Sequence, residues 1–378
     1  MLKNIEFINI VNIFVMEVDM SKFNENSLSR VTVEDILDGI KDEYSVVYSR
    51  DGARLLKCDN VHITNYKIKD NTVVICDMAF KQCKSLNSII IPESVTTIGN
   101  GVFSECESLA SIIIPNSVVS IGNNAFSYCV NMNFISLSNN VTFIGIGAFN
   151  HCVSLKSIRI PSSLSIISRG LFHSCWNLNS ISIPNSVTLI EEGAFSCCSA
   201  LINIIIPDGV RCIGDWAFTW CKSLCSVSIS RTVSVIGKGI FGNCINLKKI
   251  IVDSQNEYYD SRGNCNAIIE CKTNTLIAGC SSTNIPISVF CIGSKSFYRC
   301  RFTSPITIPE NVLSIRQEAF YECSNLQKVQ IPNSIKYIGY CAFYKCNPLK
   351  ITISSDCFNR FKNVFDSLSK DGYEIELI

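Results

Sequence analysis

The sequence predicts a repeat solenoid, and three observations carry that expectation. A phenylalanine recurs every 23 residues, at Phe80, Phe103, Phe126, Phe149, Phe172, Phe195, Phe218 and Phe241, and again at Phe297, Phe320 and Phe343. A cysteine follows each of them three residues later, from Cys83 to Cys346. Around both runs one phrase: Cys-x-x-Leu-x-x-Ile-x-Ile-Pro-x-x-Val-x-x-Ile-Gly-x-x-Ala-Phe. A fixed period of ~20–30 residues with apolar columns belongs to stacked units, none of which can bury its own apolar face.

Each part of a turn has a physical reason. In the copy from Cys106 to Phe126, Leu109, Ile112 and Ile114 alternate with small or variable residues, the period of a strand with one buried face. Pro115 lacks an amide hydrogen and ends the ladder there; eight of the ten prolines occupy this place. Val118 and Ile121 form a second apolar edge after a bend, and Gly122 reads as a turn residue. Ser168, Glu191 and Arg316 stand at its place in other copies, so a positive φ is not required. Ala125, Phe126 and Cys129 are spaced for about one helical turn, and Met132 fills the leucine place at similar volume. The apolar side chains of one turn do not offset the entropy of ordering it, so lateral stacking must supply the difference.

The phrase resembles the BspA-like leucine-rich repeat family. The matching motifs are Ile91-Pro92-x-x-Val95-x-x-Ile98-Gly99 and Val102-Phe103-x-x-Cys106-x-x-Leu109 with their copies, over about residues 66–353. The resemblance implies a right-handed leucine-rich-repeat superhelix with a parallel concave sheet and short helical turns on the outer side. It also implies a surface protein that acts in adhesion or in binding host proteins. The family's motif residues are core residues, so it transfers no catalytic residue.

Composition narrows the function classes. With 378 residues, 47% apolar and 17% charged, the chain holds a large core and fits one solenoid domain better than several globules. A net charge of +1 offers no electrostatic case for nucleic acid or anionic membranes. Of the 22 cysteines, eleven form the column, where neighbours stacked ~4.8 Å apart would point the same way and act as small buried hydrophobes. The other eleven (Cys58, Cys76, Cys197, Cys212, Cys225, Cys265, Cys271, Cys280, Cys291, Cys341 and Cys357) follow no disulfide framework. So many thiols point to a reducing or anoxic setting. Nothing in the sequence reaches the ~20 apolar residues needed to span a bilayer.

Taken in order, residues 1–31 read as a leader and linker. Lys3 before the apolar run Phe7 to Met16 is similar to a signal peptide, but Glu6, Asn9 and Asn12 interrupt the pattern and no small-x-small site follows. A strand, or sequence upstream of a start at Met16 or Met20, accounts for it better. Residues 32–65 read as an N-terminal cap of helix plus hairpin. Thr32-x-x-Asp35 is a capping box, Val33, Ile36, Leu37 and Ile40 share one face of a helix over about 32–42, and Asp51-Gly52 marks a hairpin. Residues 66–252 are regular repeats, 253–284 an irregular hairpin insertion, and 285–353 repeats again. The step from Phe241 to Phe297 is 56 residues, two periods plus ten, which places a loop around 253–266. The string Tyr48 to Gly52 followed by Leu55-Leu56-Lys57-Cys58 returns as Tyr259 to Gly263 followed by Ile268-Ile269-Glu270-Cys271, so one hairpin-bearing turn is expected twice. Residues 354–378 read as a C-terminal cap. Phe358, Phe361, Val364, Phe365 and Leu368 lie at helical spacing, Lys370 to Gly372 turn the chain, and Tyr373, Ile375 and Leu377 alternate as a strand.

Chemistry-bearing constellations are few. His151 and His173, beside Cys152 and Cys175, invite a zinc site, but they occupy different columns and both cysteines belong to the buried series. Cys265, Cys271, Cys280 and Cys291 lack metal-site spacing, and Gly237-Lys238-Gly239 lacks the phosphate-loop pattern. No nucleophile–base set or carboxylate pair stands out. The reading is therefore non-enzymatic, with no metal and no cofactor.

Binding is the better-supported function. The column between the paired isoleucines runs Ile90, Ile113, Ser136, Arg159, Ser182, Ile205, Ser228, Ile251, Thr307, Gln330, Thr352, mostly uncharged and partly apolar, a surface suited to protein contacts. β-propensity on a half-exposed strand explains the same column. Aromatics at otherwise small or polar places are sharper: Phe134, Trp176, Trp216, Trp220, and the ladder Tyr298, Tyr321 and Tyr344. With Arg159 these are the candidate protein-binding residues. Packing between neighbouring loops is the alternative account of them. The expected function is a surface adhesin-like or host- and matrix-protein-binding module, with an intracellular scaffold and glycan binding through the aromatic columns as alternatives.

Overall fold

A computed structural model describes residues 28–302, 305–346, 349–369 and 373–378. The leader reading and the turn at Lys370 to Gly372 lie outside the described residues. The chain divides into two compact units between Ala194 and Phe195.

Among the described residues the first unit's first helix is the short Val33–Leu37. The Asp35 amide donates to Thr32 Oγ1 at 3.1 Å and the Thr32 amide donates to Asp35 Oδ2 at 2.8 Å, a reciprocal cap. The helix has five residues, not the expected eleven, and none of them is buried. Its expected apolar face does not form: Ile36, with Val31, packs against Val47, Leu56, Val74 and Cys76, while Val33 and Leu37 face outward. The chain instead turns at Gly39 into three antiparallel strands, Ile40–Lys41, Val46–Tyr48 and Arg54–Cys58, and these close the sheet end.

From Arg54–Cys58 onward the pairing becomes parallel, and from Val74–Ile75 onward it is in register at one-period offsets. Val74–Ile75, Thr97–Ile98, Ser120–Ile121 and Phe143–Ile144 follow one another in a single ladder. A second series, on the next face of each turn, pairs Asn65–Lys67 with Ser88–Ile90 and Ser111–Ile113 with Phe134–Ser136. It thins to one bridge between Arg159 and Ser182. Inward residues of both series are buried, and the fully buried phenylalanines stack between the faces. Ring centroids of Phe80, Phe103, Phe126, Phe149 and Phe172 are successively 5.7, 5.3, 5.6 and 5.7 Å apart with planes within 18°.

The second unit repeats the pattern. Asn203–Ile205, Ser226–Ile229 and Lys249–Val252 form one parallel ladder, and Cys212–Ile213 pairs with Val235–Ile236. Tyr259–Asp260, Ala267–Glu270 and Thr275–Gly279 then run antiparallel, and the last pairs parallel with Cys291–Ile292. This is the topology of the first unit's opening strands, used again. The two similar strings sit one strand apart in it, however. Arg50 to Gly52 lies between the second and third strands of its module, whereas Arg262 and Gly263 lie between the first and second. At the C-terminal end Lys350–Ile353 pairs with Glu374–Leu377, with the helices Ser355–Arg360 and Lys362–Ser369 between them. Phe365 is buried, and the Tyr373 hydroxyl donates to the Phe343 carbonyl at 2.6 Å and accepts from the Cys346 amide at 2.8 Å.

The arc around each phenylalanine is not the helical turn its spacing suggests. The residues two before and two after it have positive φ, as in Asn124 (53°) and Tyr128 (61°) around Phe126. Two tight turns follow each other, each closed by its own i→i+3 bond, such as Cys129 N to Phe126 O at 3.2 Å. This geometry frees alternate amides to point at the next arc: Phe126 N donates to Ala148 O and Tyr128 N to Asn150 O, both at 2.8 Å. The arcs thus form a third hydrogen-bonded ladder.

Side chains reinforce the stack at three places. Column thiols donate to the phenylalanine carbonyl of the preceding arc, as in Cys129 Sγ to Phe103 O at 3.1 Å and Cys152 Sγ to Phe126 O at 3.2 Å. They are therefore donors as well as small hydrophobes. Serines after the proline do the same on the bend, with Ser117 Oγ donating to Val95 O at 2.6 Å. Asp77, Asn100 and Asn123 each accept from the backbone amide one period on, at 2.7, 2.8 and 2.7 Å. Gly122 sits beside this row. An added Cβ there would lie 2.6 Å from the Asn100 amide nitrogen, so its reason is the close approach of the preceding turn and not a positive φ.

Two outcomes are expected. Gly122→Ala lowers stability by about 1–3 kcal/mol through this overlap with fixed backbone, measured by chemical denaturation. Burial pushes the Cys106, Cys152 and Cys244 thiols up to about 12. Thiol titration of the native chain at mildly alkaline pH therefore modifies exposed Cys225 first, then half-buried Cys197, Cys271 and Cys341, and reaches the column only on unfolding.

Candidate functional site

The two units each carry a candidate surface. In the first unit it is the outward side of the three-residue strands. Strand alternation turns Ile112 and Ile135 inward and leaves Ile90, Ile113 and Phe134 exposed by 59, 69 and 53%. Phe134 stands opposite Ser111 in the register, so the aromatic ring rises beside a small side chain. Arg159 is also exposed, and it lines a shallow groove of about 640 Å³ with Ser157, Ile160, Ser180, Ser182 and Pro184. The groove lies where the ladder has thinned to the single Arg159–Ser182 bridge.

In the second unit the structure gathers Trp216, Trp220, Tyr298, Tyr321 and Tyr344 along the arcs. The place after the repeat phenylalanine carries Tyr298, Tyr321 and Tyr344, with centroids 4.9 and 5.4 Å apart in succession. Trp216 meets the edge of Tyr298 at 5.1 Å across the intervening rung. That rung carries Gly239 and Gly242, where a Cβ would strike the indole at 2.4 Å or approach the Tyr298 ring at 3.1 Å. The absent side chains let two aromatics touch from two rungs apart. All five rings are half-buried, so packing between arcs uses much of their surface. Trp176 is exposed and stands apart from them, in the first unit.

Sequence reasoning missed the charges that accompany these rings. The left-handed places carry Lys295 and Glu318 before the phenylalanine, and Arg299, Glu322 and Lys345 after it. Lys295 pairs with Glu318 at 2.7 Å, Arg299 with Glu322 at 2.6 Å, and Lys345 reaches the same carboxylate at 3.6 Å. The cations also cover the rings: Lys295 lies 4.6 Å from the Trp216 centroid, Arg299 5.0 Å and Lys222 5.5 Å from that of Trp220. Burial, and after it Glu322, pushes the Tyr321 hydroxyl up to about 12. Writing out the residues two places after each phenylalanine, 23 apart, would have exposed the charge alternation.

His151 and His173 do meet, edge to face at 5.6 Å, although they hold different places in their turns. Tyr128 stacks on His151 at 4.3 Å, and His151 Nδ1 lies 2.6 Å from Asn150 Oδ1. Burial lowers both imidazole pKa values, and His151 lowers that of His173 further. Cys152 and Cys175 point away, into the core, toward the Phe126 and Phe149 carbonyls. Among the described residues no three His, Cys, Asp or Glu side chains converge as a metal set. Among the same residues no helix is long and apolar enough to cross a membrane.

Known proteins place this geometry. A leucine-rich repeat protein from Bacteroides ovatus is similar over 92% of this chain and 94% of its own, at 27% identity and a TM-score of 0.59. A leucine rich cell surface protein from Faecalibacterium prausnitzii shares the fold over 90% of this chain and 94% of its own, at 23% identity and a TM-score of 0.62. No curated protein matches. The family model described as "BspA type Leucine rich repeat region (6 copies)" matches residues 57–176, 165–291 and 290–371. The in-register parallel turns, the phenylalanine spine and this match agree: the chain belongs to the BspA-type leucine-rich repeat family.

Proposed function

We propose that the protein is a non-enzymatic protein-binding module of the cell surface, adhesin-like in action. The observation that carries this reading is the exposed apolar stripe of Ile90, Ile113 and Phe134 on the first unit's strands. These side chains are held on paired backbone, so they lose little further entropy on binding. In the same columns Ser88 and Ser111 precede Phe134, and Ser136 and Arg159 follow Ile113, so the fold itself does not require apolar residues there. Aromatic and aliphatic anchors on rigid, uncharged surface are what protein contacts use. Arg159 borders the groove nearby in sequence and would add a directed polar contact at its rim. The surface location is supported by the similar Faecalibacterium protein, itself a leucine rich cell surface protein. The thiols do not oppose it, since most lie buried behind raised pKa values.

The test is solid-phase binding of the full chain to a panel of extracellular-matrix proteins, alongside surface proteolysis of intact cells. Saturable binding is expected. Phe134→Ala should weaken it by about 2 kcal/mol, some ~30-fold, while exposed Phe134 leaves the melting temperature nearly unchanged. No binding across the panel, or binding indifferent to both Phe134→Ala and Ile113→Ser, would overturn the reading.

A further inference from the structure

A second surface, in the second unit, has a chemistry of its own. Two and four places after the phenylalanines, the arcs line a cleft of about 420 Å³ that includes Trp220, Asn243, Arg299, Arg301, Glu322 and Lys345. Its charged residues are three cations and one carboxylate, and that carboxylate is already shared by Arg299 and Lys345. Arg301 is exposed and makes no ion pair among the described residues, and Lys222 extends the positive edge over Trp220. Arg299 Nε is buried without a hydrogen-bond partner. The cleft thus holds more cationic donor capacity than its own residues use.

We infer that this cleft binds an acidic, extended segment of a protein partner. Its polar wall continues over successive rungs, from Trp220 and Asn243 to Arg299, Glu322 and Lys345, so a strip of ligand fits it better than a single small anion. Carboxylates of the segment would meet Arg301 and Lys345 and compete with Glu322 for Arg299. Asn243 and Ser324 offer groups for main-chain hydrogen bonds, and Ile245 offers an apolar contact. A sugar ring needs an open aromatic face, but Arg299 and Lys222 already lie over Trp220. The inference rests on the protein-binding reading but uses a different surface, so the two can fail separately.

The experiment is fluorescence anisotropy with the full chain and a labelled peptide that alternates glutamate and threonine. A lysine–threonine peptide and a heparin-derived oligosaccharide serve as comparisons. Saturable binding of the acidic peptide is expected, weakened by salt and lowered roughly tenfold or more by the double variant Arg301→Glu, Lys345→Glu. Both residues are exposed, so the fold should survive, and an unchanged melting temperature verifies this. Phe134→Ala should leave this binding intact even if it abolishes matrix binding. Absence of saturable peptide binding, preference for the oligosaccharide, or indifference to the charge reversal would overturn the inference.

Discussion

The structure depends on the hydrogen bonds between successive arcs. Strands alone leave the phenylalanine arc without lateral partners, and an α-helical turn would spend its amides internally. Two tight turns with left-handed residues on either side of the phenylalanine solve this, because alternate amides then point along the stack. The left-handed region costs a non-glycine residue roughly 1–2 kcal/mol. An arc such as that of Asn124, Phe126 and Tyr128 gains three inter-turn bonds worth about 0.5–1.5 kcal/mol apiece, so the exchange comes out near balance before any core is buried. Glycine relieves the first position in Gly101, Gly147, Gly170, Gly193 and Gly239, while the second is never glycine in the eleven regular arcs.

That asymmetry connects fold to surface. A residue held at positive φ projects its side chain outward at the same angle in every arc. The second left-handed place therefore builds a ridge whose members contact one another one period apart: Gln82 with Glu105, Tyr128 with His151, Arg299 with Glu322. The Arg299–Glu322 pair is half-buried, so lost hydration offsets much of its attraction and its net contribution to stability is small. The consequence of these contacts is order. Long side chains that would sample many rotamers are held in register against Trp220 and the tyrosine ladder.

Much of the fold was legible because one-dimensional stacking converts each structural column into a sequence column. Phe126 predicts its neighbour by counting alone. What the period did not reveal were local geometries that share a spacing. Ala125, Phe126 and Cys129 fit a helical turn and a pair of tight turns equally, since both bring residues three apart together. Gly122 looked like a turn glycine, yet its constraint comes from Asn100, one period away. The helix Val33–Leu37 had the right cap and pattern, but Ile40–Lys41 entered a sheet and removed the partners its outer face would have needed. The aromatic candidates were visible as substitutions; that Trp216 reaches Tyr298 over two glycines was not, because it depends on what the intervening rung omits.

The cysteine column shows how a core residue can mislead about environment. Counting thiols suggests a reducing compartment, an argument that assumes thiols able to react. Here the fold gives most column thiols an acceptor, the carbonyl of the preceding phenylalanine, and a site closed to solvent. Alanine would fill less of the space and donate nothing, and serine would bury a stronger dipole at greater desolvation cost. Cysteine is thus selected by volume and by a weak donor at one fixed point, for reasons indifferent to redox conditions. The column's half of the 22 cysteines reports the number of regular turns, and the compartment must be argued from the surface instead.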